Sequence, residues 1–314
     1  MSLVAHALDS RVQPALSAVL ARLRQWMGVG GARTSATGDE PLVLTNRIPS
    51  EDEIPPLDRH TIAQWLWGAG FHVPGGAEHV LELVKPFALN PAMSMLDVSA
   101  GLGGGARAIA AAFGTYVTGL ERDPELARRG MEMSVLQGMQ KRAPVEAYDP
   151  ETLELRTGAF DCVLGRLATH GLRDKERFLR VLNLSLKARG QLLLTDFVVE
   201  PKAGGRPELA VWERAQKRPP QLWSLNQMAE RLAALGFEIR VTEDTTETYR
   251  RLIVAGWSQL LHTVDLRSMP RKHLVSILDE AEAWVHTIAA LESGALRAYR
   301  FYALGSRGRA GAKR

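Results

Sequence analysis

Residues 96–113 read LDVSAGLGGGARAIAAAF: an apolar run that closes on an acid, a tight run of glycines, and then an alanine-rich stretch of helical character. This segment constrains the fold more than any other. Glycine is needed where the backbone takes positive φ or where a ligand comes closer than a Cβ would allow. A strand that turns through glycines into a helix is the opening unit of a parallel α/β sheet, whose ligands sit at the carboxyl ends of the strands. A turn that is glycine-rich only for packing would look the same, so the surrounding chain has to decide.

The surrounding chain alternates. Strand-like runs at 95–98, 116–120, 145–148, 160–164 and 191–198 are separated by helical stretches that start near Gly103, Asp123 and Asp174, with a turn-rich connection at 150–158. Runs such as QLLLTDFVV are predominantly apolar, as strands covered on both faces must be. A helix at 225–235 leads into a strand at 237–241, and a last strand follows at 296–304. The stretch between those two strands, 245–293, has a helical pattern broken near Met269 and Pro270, far more chain than a hairpin needs. The predicted class is therefore α/β, a Rossmann-like, doubly wound, mostly parallel seven-stranded sheet with a helical insertion between its last two strands, suited to substrate selection.

Acids close three successive strands: Asp97, Glu121 twenty positions after Gly101, and Asp149. Glu121 stands where an acid hydrogen-bonds ribose hydroxyls, and Asp149 where one would reach an adenine edge. Gly101, Gly103 and Ala106 also fit the dinucleotide pattern, which raises a nicotinamide enzyme as an alternative. Against it, Asp97 puts a carboxylate where a pyrophosphate would lie, and this suits a ligand with an ammonium group instead. A nucleoside with a cationic amino-acid arm, S-adenosylmethionine, is the better match.

On these residues the chain from 65 to 200 resembles a class I S-adenosylmethionine-dependent methyltransferase. The resemblance implies that Asp97, Ser99, Gly101, Gly103, Gly104, Glu121 and Asp149 hold the cofactor, with Arg166 approaching its methionine carboxylate; Ser99 stands where the family usually has its first glycine. Within the family the chain is similar to phosphoethanolamine N-methyltransferases and related small-molecule enzymes, through WGAGFHVPGG at 67–76, GLGGG at 101–105 and RLATHG at 166–171. That likeness implies His170 as catalytic base, and His72 and Trp67 as first contacts for the substrate. The subfamily's upstream tyrosine has no counterpart in SEDEIPPLDRH, and Leu167 and Ala168 stand at the place of its amine-binding carboxylate. The implied function is methyl transfer to a small molecule, an amine or a phenol or quinone. The alternative that these departures raise is a non-catalytic S-adenosylmethionine-binding protein acting through partners.

An imidazole suits the one task the cofactor leaves to the protein, removal of a proton from the acceptor. Trp65, Trp67, Trp212, Trp223 and Trp257 are candidate π faces for an amine. No phosphate loop of the G-x-x-x-x-G-K-[ST] type, H-E-x-x-H or G-x-S-x-G is present, and with one cysteine and no ligand-spaced pairs no metal site is expected.

The net charge of +4 is misleading about partners. Residues 1–34 carry +3 and the last ten +4, which leaves −3 on 35–304, so a nucleic-acid partner is not expected. Residues 8–27 space Leu8, Val12, Leu16, Val19, Leu20, Leu23 and Met27 on one helical face with Arg11, Arg22 and Arg24 opposite; such a helix either packs on its own domain or makes peripheral contact with a membrane. The expected organisation is this helix and a flexible linker over 1–40, a methyltransferase domain over 41–305 with its cap at 245–293, and a basic disordered tail at 306–314. The expected location is cytoplasmic.

Overall fold

The computed structural model describes residues 54–201, 205–216 and 218–305. The helix expected at 8–27, the linker that follows it and the basic tail lie outside the described residues, and so does the question of membrane contact. Among the described residues no helix is long and apolar enough to cross a membrane.

Seven strands form one sheet in the order β3-β2-β1-β4-β5-β7-β6. They are β1 (Ser94–Asp97), β2 (Tyr116–Glu121), β3 (Val145–Ala147), β4 (Phe160–Arg166), β5 (Leu186–Val199), β6 (Phe237–Asp244) and β7 (Leu296–Gly305). The first five pair in parallel, and β7 runs antiparallel between β5 and β6. The alternation expected of a covered sheet is visible residue by residue. Met95, Cys162, Leu164, Leu193 and Phe197 feed one hydrophobic cluster, while Leu96, Val163, Leu192, Leu194 and Val198 feed the other.

Helices cover both faces. On the first lie α1 (Arg59–Trp67), α2 (Gly76–Leu83) and α3 (Gly104–Phe113), with α8 (Thr246–Thr263) and α9 (Arg271–Glu292) from the insertion before β7. On the second lie α5 (Lys175–Ser185) and α7 (Leu225–Ala234). Two more complete the set, α4 (Pro124–Leu136) and α6 (Pro207–Ala215). Caps fix several starts: Asp58 accepts from the amides of His60 and Thr61, Asp123 from those of Glu125 and Leu126, and Ser224 with Gln227 forms a capping box.

The inserted helices are bound tightly to the rest. Gly256 of α8 lies so close to α1 that a Cβ would fall 2.1 Å from Trp67 Cζ3. The Trp67 indole meets Trp284 of α9 edge to face at 5.3 Å, and Arg59 reaches Glu280 of α9 at 2.7 Å. The break between α8 and α9 falls at the expected Met269 and Pro270. Three helices have no counterpart in the sequence reading (α1, α2 and α6), and β5 starts at Leu186 rather than 191, with a register irregularity inside it between Leu186 and Gln191, where Arg189 has a φ of 57°.

Candidate active site

A cavity of about 360 Å³ opens over the carboxyl ends of β1, β2 and β4. Its roof is the segment between α1 and α2 together with side chains of α8 and α9. The roof is pinned to the glycine loop by backbone: Gly104 N donates to Gly70 O at 2.9 Å, and Gly70 N donates to Gln64 Oε1 at 2.9 Å. Two glycines of the loop answer to this geometry. Gly103 caps the start of α3 with a φ of 76°, and a Cβ on Gly104 would stand 2.4 Å from Gly70 O. Neither lines the cavity, so their work is to shape the turn and admit the roof, whereas Ser99, Gly101 and Glu121 do face it.

Glu121 ties the loop down. Its Oε2 accepts from Gly101 N at 2.8 Å and its Oε1 from Asp123 N at 3.0 Å. Burial raises its pKa, and those two amides offset only part of the rise. Asp97 does not face the cavity as an open carboxylate. It is wholly buried, with Oδ2 2.9 Å from Arg166 Nη2 and Oδ1 accepting from the amide and hydroxyl of Ser99. Arg166 itself lines the cavity, and its buried Nε has no hydrogen-bond partner among the described residues. A carboxylate-bearing ligand would satisfy that donor, so the Asp97–Arg166 pair fits a zwitterionic amino-acid arm.

On the other side of the cavity, His170 stands on the loop after β4. Its Nδ1 lies 2.9 Å from Asp196 Oδ1, and Asp196 Oδ2 accepts from Thr169 N and Thr169 Oγ1, both at 2.6 Å, and from His170 N at 3.1 Å. Asp196 belongs to β5 and is 1 % exposed. Burial by itself would raise its pKa, but His170, Thr169 and Lys175 outweigh that and hold the carboxyl below the usual value. With Asp196 ionised, Nδ1 carries the proton and donates, which leaves the lone pair on Nε2. The loop is held under strain to do this: Leu167 has a φ of 51°, fixed by its amide donating to Thr195 O at 2.7 Å.

Aromatic rings wall this end. Phe197 meets His170 edge-on at 5.5 Å, Trp212 of α6 lies 6.4 Å from His170, and Tyr249 of α8 packs edge-on against Phe197 at 5.5 Å. At the roof, His72 and His60 approach Nε2 to Nδ1 at 3.1 Å, and both line the cavity.

The structure thus brings together His170, Ser99, Gly101, Glu121, Arg166 and His72 around one cavity. It leaves Asp97, Gly103, Gly104, Trp67 and Asp149 outside the cavity lining. Trp67 is buried in the core against Trp284 and Gly256, and Asp149 is exposed, its Oδ1 accepting from Glu151 N at 2.9 Å in the turn after β3. Of the five candidate tryptophans, Trp212 reaches the cavity. Asp196, His60, Phe197, Tyr249 and Trp284 were not anticipated. Asp196 did leave a signal, as the one acid in the otherwise apolar run QLLLTDFVV. His60, Tyr249 and Trp284 left none, since only the packing of α1, α8 and α9 brings them in, and Phe197 reads as one more apolar residue of its strand. Among the described residues no group of three or more His, Cys, Asp or Glu is placed to hold a metal.

Residues 77–241 match the methyltransferase domain family. Phosphoethanolamine N-methyltransferase 3 of Arabidopsis thaliana is 28% identical over 188 residues, covering 60% of this chain and 37% of its own. The 2-methyl-6-phytyl-1,4-hydroquinone methyltransferase of Synechocystis is 28% identical over 184 residues, covering 56% of this chain and 51% of its own. The structure of Haemonchus contortus phosphoethanolamine N-methyltransferase 2 in complex with S-adenosyl-L-methionine superposes with a TM-score of 0.68 at 22% identity, over 78% of this chain and 56% of that one. The chain spans less than half the length of the curated phosphoethanolamine relatives.

Proposed function

The chain belongs to the methyltransferase domain family, and from that premise we propose that it transfers a methyl group from S-adenosylmethionine to a small molecule whose acceptor atom gives up a proton to His170. The observation that carries this reading is one cavity with the glycine loop, Glu121 and Arg166 at one end and the His170–Asp196 pair at the other. When bound, the sulfonium cofactor supplies an electrophilic methyl group. Glu121 would accept from the ribose hydroxyls, and Arg166 would donate to the carboxylate of the amino-acid arm. The rings of Phe197, Trp212 and Tyr249 exclude water and hold a flat acceptor in line. His170 Nε2 takes the acceptor's proton as the new bond forms, and Asp196 stabilises the imidazolium.

A phenolic hydroxyl fits this end best. Asp196 is committed to the loop behind His170, and Leu167 and Ala168 bring no charge, so the nearest cavity walls offer nothing that would neutralise an ammonium. An amine is the second reading, favoured by the same π faces, which attract cations.

The experiment is calorimetric titration of S-adenosylmethionine into the full chain, followed by transfer of labelled methyl to panels of phenols, hydroquinones and amines. His170→Ala is expected to lower kcat on the order of 10²- to 10⁴-fold with cofactor affinity little changed. Absence of cofactor binding, or an unaffected kcat in the variant, would refute the reading.

A further inference from the structure

Tyr249 stands in the first turn of α8 and lines the cavity, its ring edge-on to Phe197 at 5.5 Å. His170 meets the same Phe197 ring edge-on at 5.5 Å, so the two side chains flank one ring at the acceptor end. The backbone that carries Tyr249 is bolted down. Thr245 N donates to Ala298 O at 2.8 Å, Ala298 N to Thr246 Oγ1 at 3.0 Å, and Thr246 N to Asp244 Oδ1 at 2.9 Å. The next residue, Arg250, pairs with Glu247 at 2.7 Å and with Glu292 at the end of α9. The ring is therefore placed before a ligand arrives. Other polar side chains at this wall are already committed. Trp284 Nε1 donates to Glu280 Oε1 and Thr287 Oγ1 to Ala283 O, both at 2.9 Å, and Gln216 gives its amide to Trp212 O at 3.1 Å. Asp196 is taken up by Thr169, His170 and Phe197. The Tyr249 hydroxyl makes no hydrogen bond with any of the described residues. A hydroxyl among rings with nothing to bond is costlier than the phenylalanine that would fill the same space. Burial raises its pKa, and the Asp196 charge adds to the rise, so the group stays protonated and can donate.

We propose that Tyr249 selects the acceptor: its hydroxyl donates to a second oxygen on the aromatic ring whose first hydroxyl gives its proton to His170, so the substrate class is a dihydric phenol or its monoether. The proposal rests on the reading of His170 as the base and of a phenolic acceptor. Phe197 and Trp212 offer ring edges and faces, which hold a flat molecule in the cavity but leave it free to turn in its own plane. Two hydrogen bonds stop that rotation. His170 Nε2 supplies one and Tyr249 the other, and together they keep the reacting oxygen in line with the methyl group. A phenol with a single oxygen leaves the Tyr249 hydroxyl unpaired in the closed cavity. An uncharged oxygen also suits the surroundings, where no free charge waits beside the rings on α8 and α9.

The test is calorimetric titration of hydroquinone, catechol and phenol into the full chain saturated with S-adenosylhomocysteine, which has no methyl group to transfer. Tyr249→Phe, which removes one oxygen and keeps the ring, is titrated beside the wild type. The wild type should bind one of the two diphenols about 10-fold more tightly than phenol, the scale of one hydrogen bond made to a group otherwise left unpaired. Tyr249→Phe should bring that preference within about 2-fold, with phenol and S-adenosylhomocysteine bound as before. A second measurement needs no variant: the methoxy analogue of the preferred diphenol, whose ether oxygen still accepts, should keep its advantage over the ethyl analogue of the same size. With labelled S-adenosylmethionine the same ratios should appear in kcat/KM. A preference that survives in Tyr249→Phe, or a wild type that binds all three phenols alike, overturns the proposal and leaves the phenolic reading standing. A wild type that binds S-adenosylhomocysteine but none of the phenols refutes that reading and this proposal with it.

Discussion

Asp196 accepts from Thr169 N, Thr169 Oγ1, His170 N, His170 Nδ1 and Phe197 N, so its charge, its rotamer and the loop it supports stand or fall together. Asp196→Asn keeps the size and changes the chemistry. The amide no longer selects the Nδ1–H tautomer, and kcat should fall on the order of 10²- to 10⁴-fold in single-turnover assays, with cofactor binding retained. Stability should change as well. Because the folded pKa is lowered, the carboxylate stabilises the fold above the unfolded value and loses that contribution as pH falls through the folded one, below about pH 4. Urea midpoints should show this acid-side loss in the wild type and not in Asp196→Asn. The sequence made His170 legible through its place after the fourth strand, yet its own loop offers no partner carboxylate, since Leu167 and Ala168 stand where the resemblance implies an amine-binding one. The partner comes instead from the next parallel strand, because Thr195 pairs with Arg166 and sets Asp196 directly beneath the turn.

At the scale of elements, strands were easier to read than helices. The centres of β4 and β5, 162–164 and 192–194, are unbroken apolar runs without exposure, a pattern that burial on both faces enforces. Helices α1 and α6 have nine residues each, too short for a periodic face to stand out, and both are fixed by what they touch. Trp67 shows the cost of this. Without α1, its neighbourhood with Gly70 and His72 suggested substrate, whereas helical geometry turns it to the core, against Gly256 and Trp284. The contact gives a sharp test. In Gly256→Ala the new Cβ would stand 2.1 Å from Trp67 Cζ3 and 2.8 Å from Leu66 O, and the second neighbour is backbone that cannot swing away. The variant should lose about 1–3 kcal/mol in urea unfolding, the usual cost of overpacking. Since α1 and α8 both contribute to the roof, acceptor KM should rise with it.

Across the whole molecule, the buried Lys175 bears on the pH dependence of stability. Its folded pKa is about 8 against 10.5 in the open chain, so between these values the unfolded state binds more protons and stability rises with pH. Cys162, pushed up to about 12 by burial, acts in the opposite direction once thiols titrate. The difference between wild type and Lys175→Met isolates the lysine: from about pH 7.5 to 9 the wild type should gain on the variant in urea midpoint. A variant that tracks the wild type in parallel would show that the lysine is not desolvated in solution. The seven-stranded class and the helical insertion followed from alternation and spacing, because these depend on patterns tens of residues long, whereas the order of the strands across the sheet is set by pairing that no run of the sequence displays. The sheet order also has a temporal consequence. Among the described residues β7 is the last strand in chain order and the only strand that pairs with β6. A nascent chain emerging from a ribosome can therefore assemble the strands that carry the glycine loop, Glu121 and Asp196 while β6 still has no edge to join. Closure waits for residues 296–305, and for that interval the edge of β5 is open to any other strand that passes.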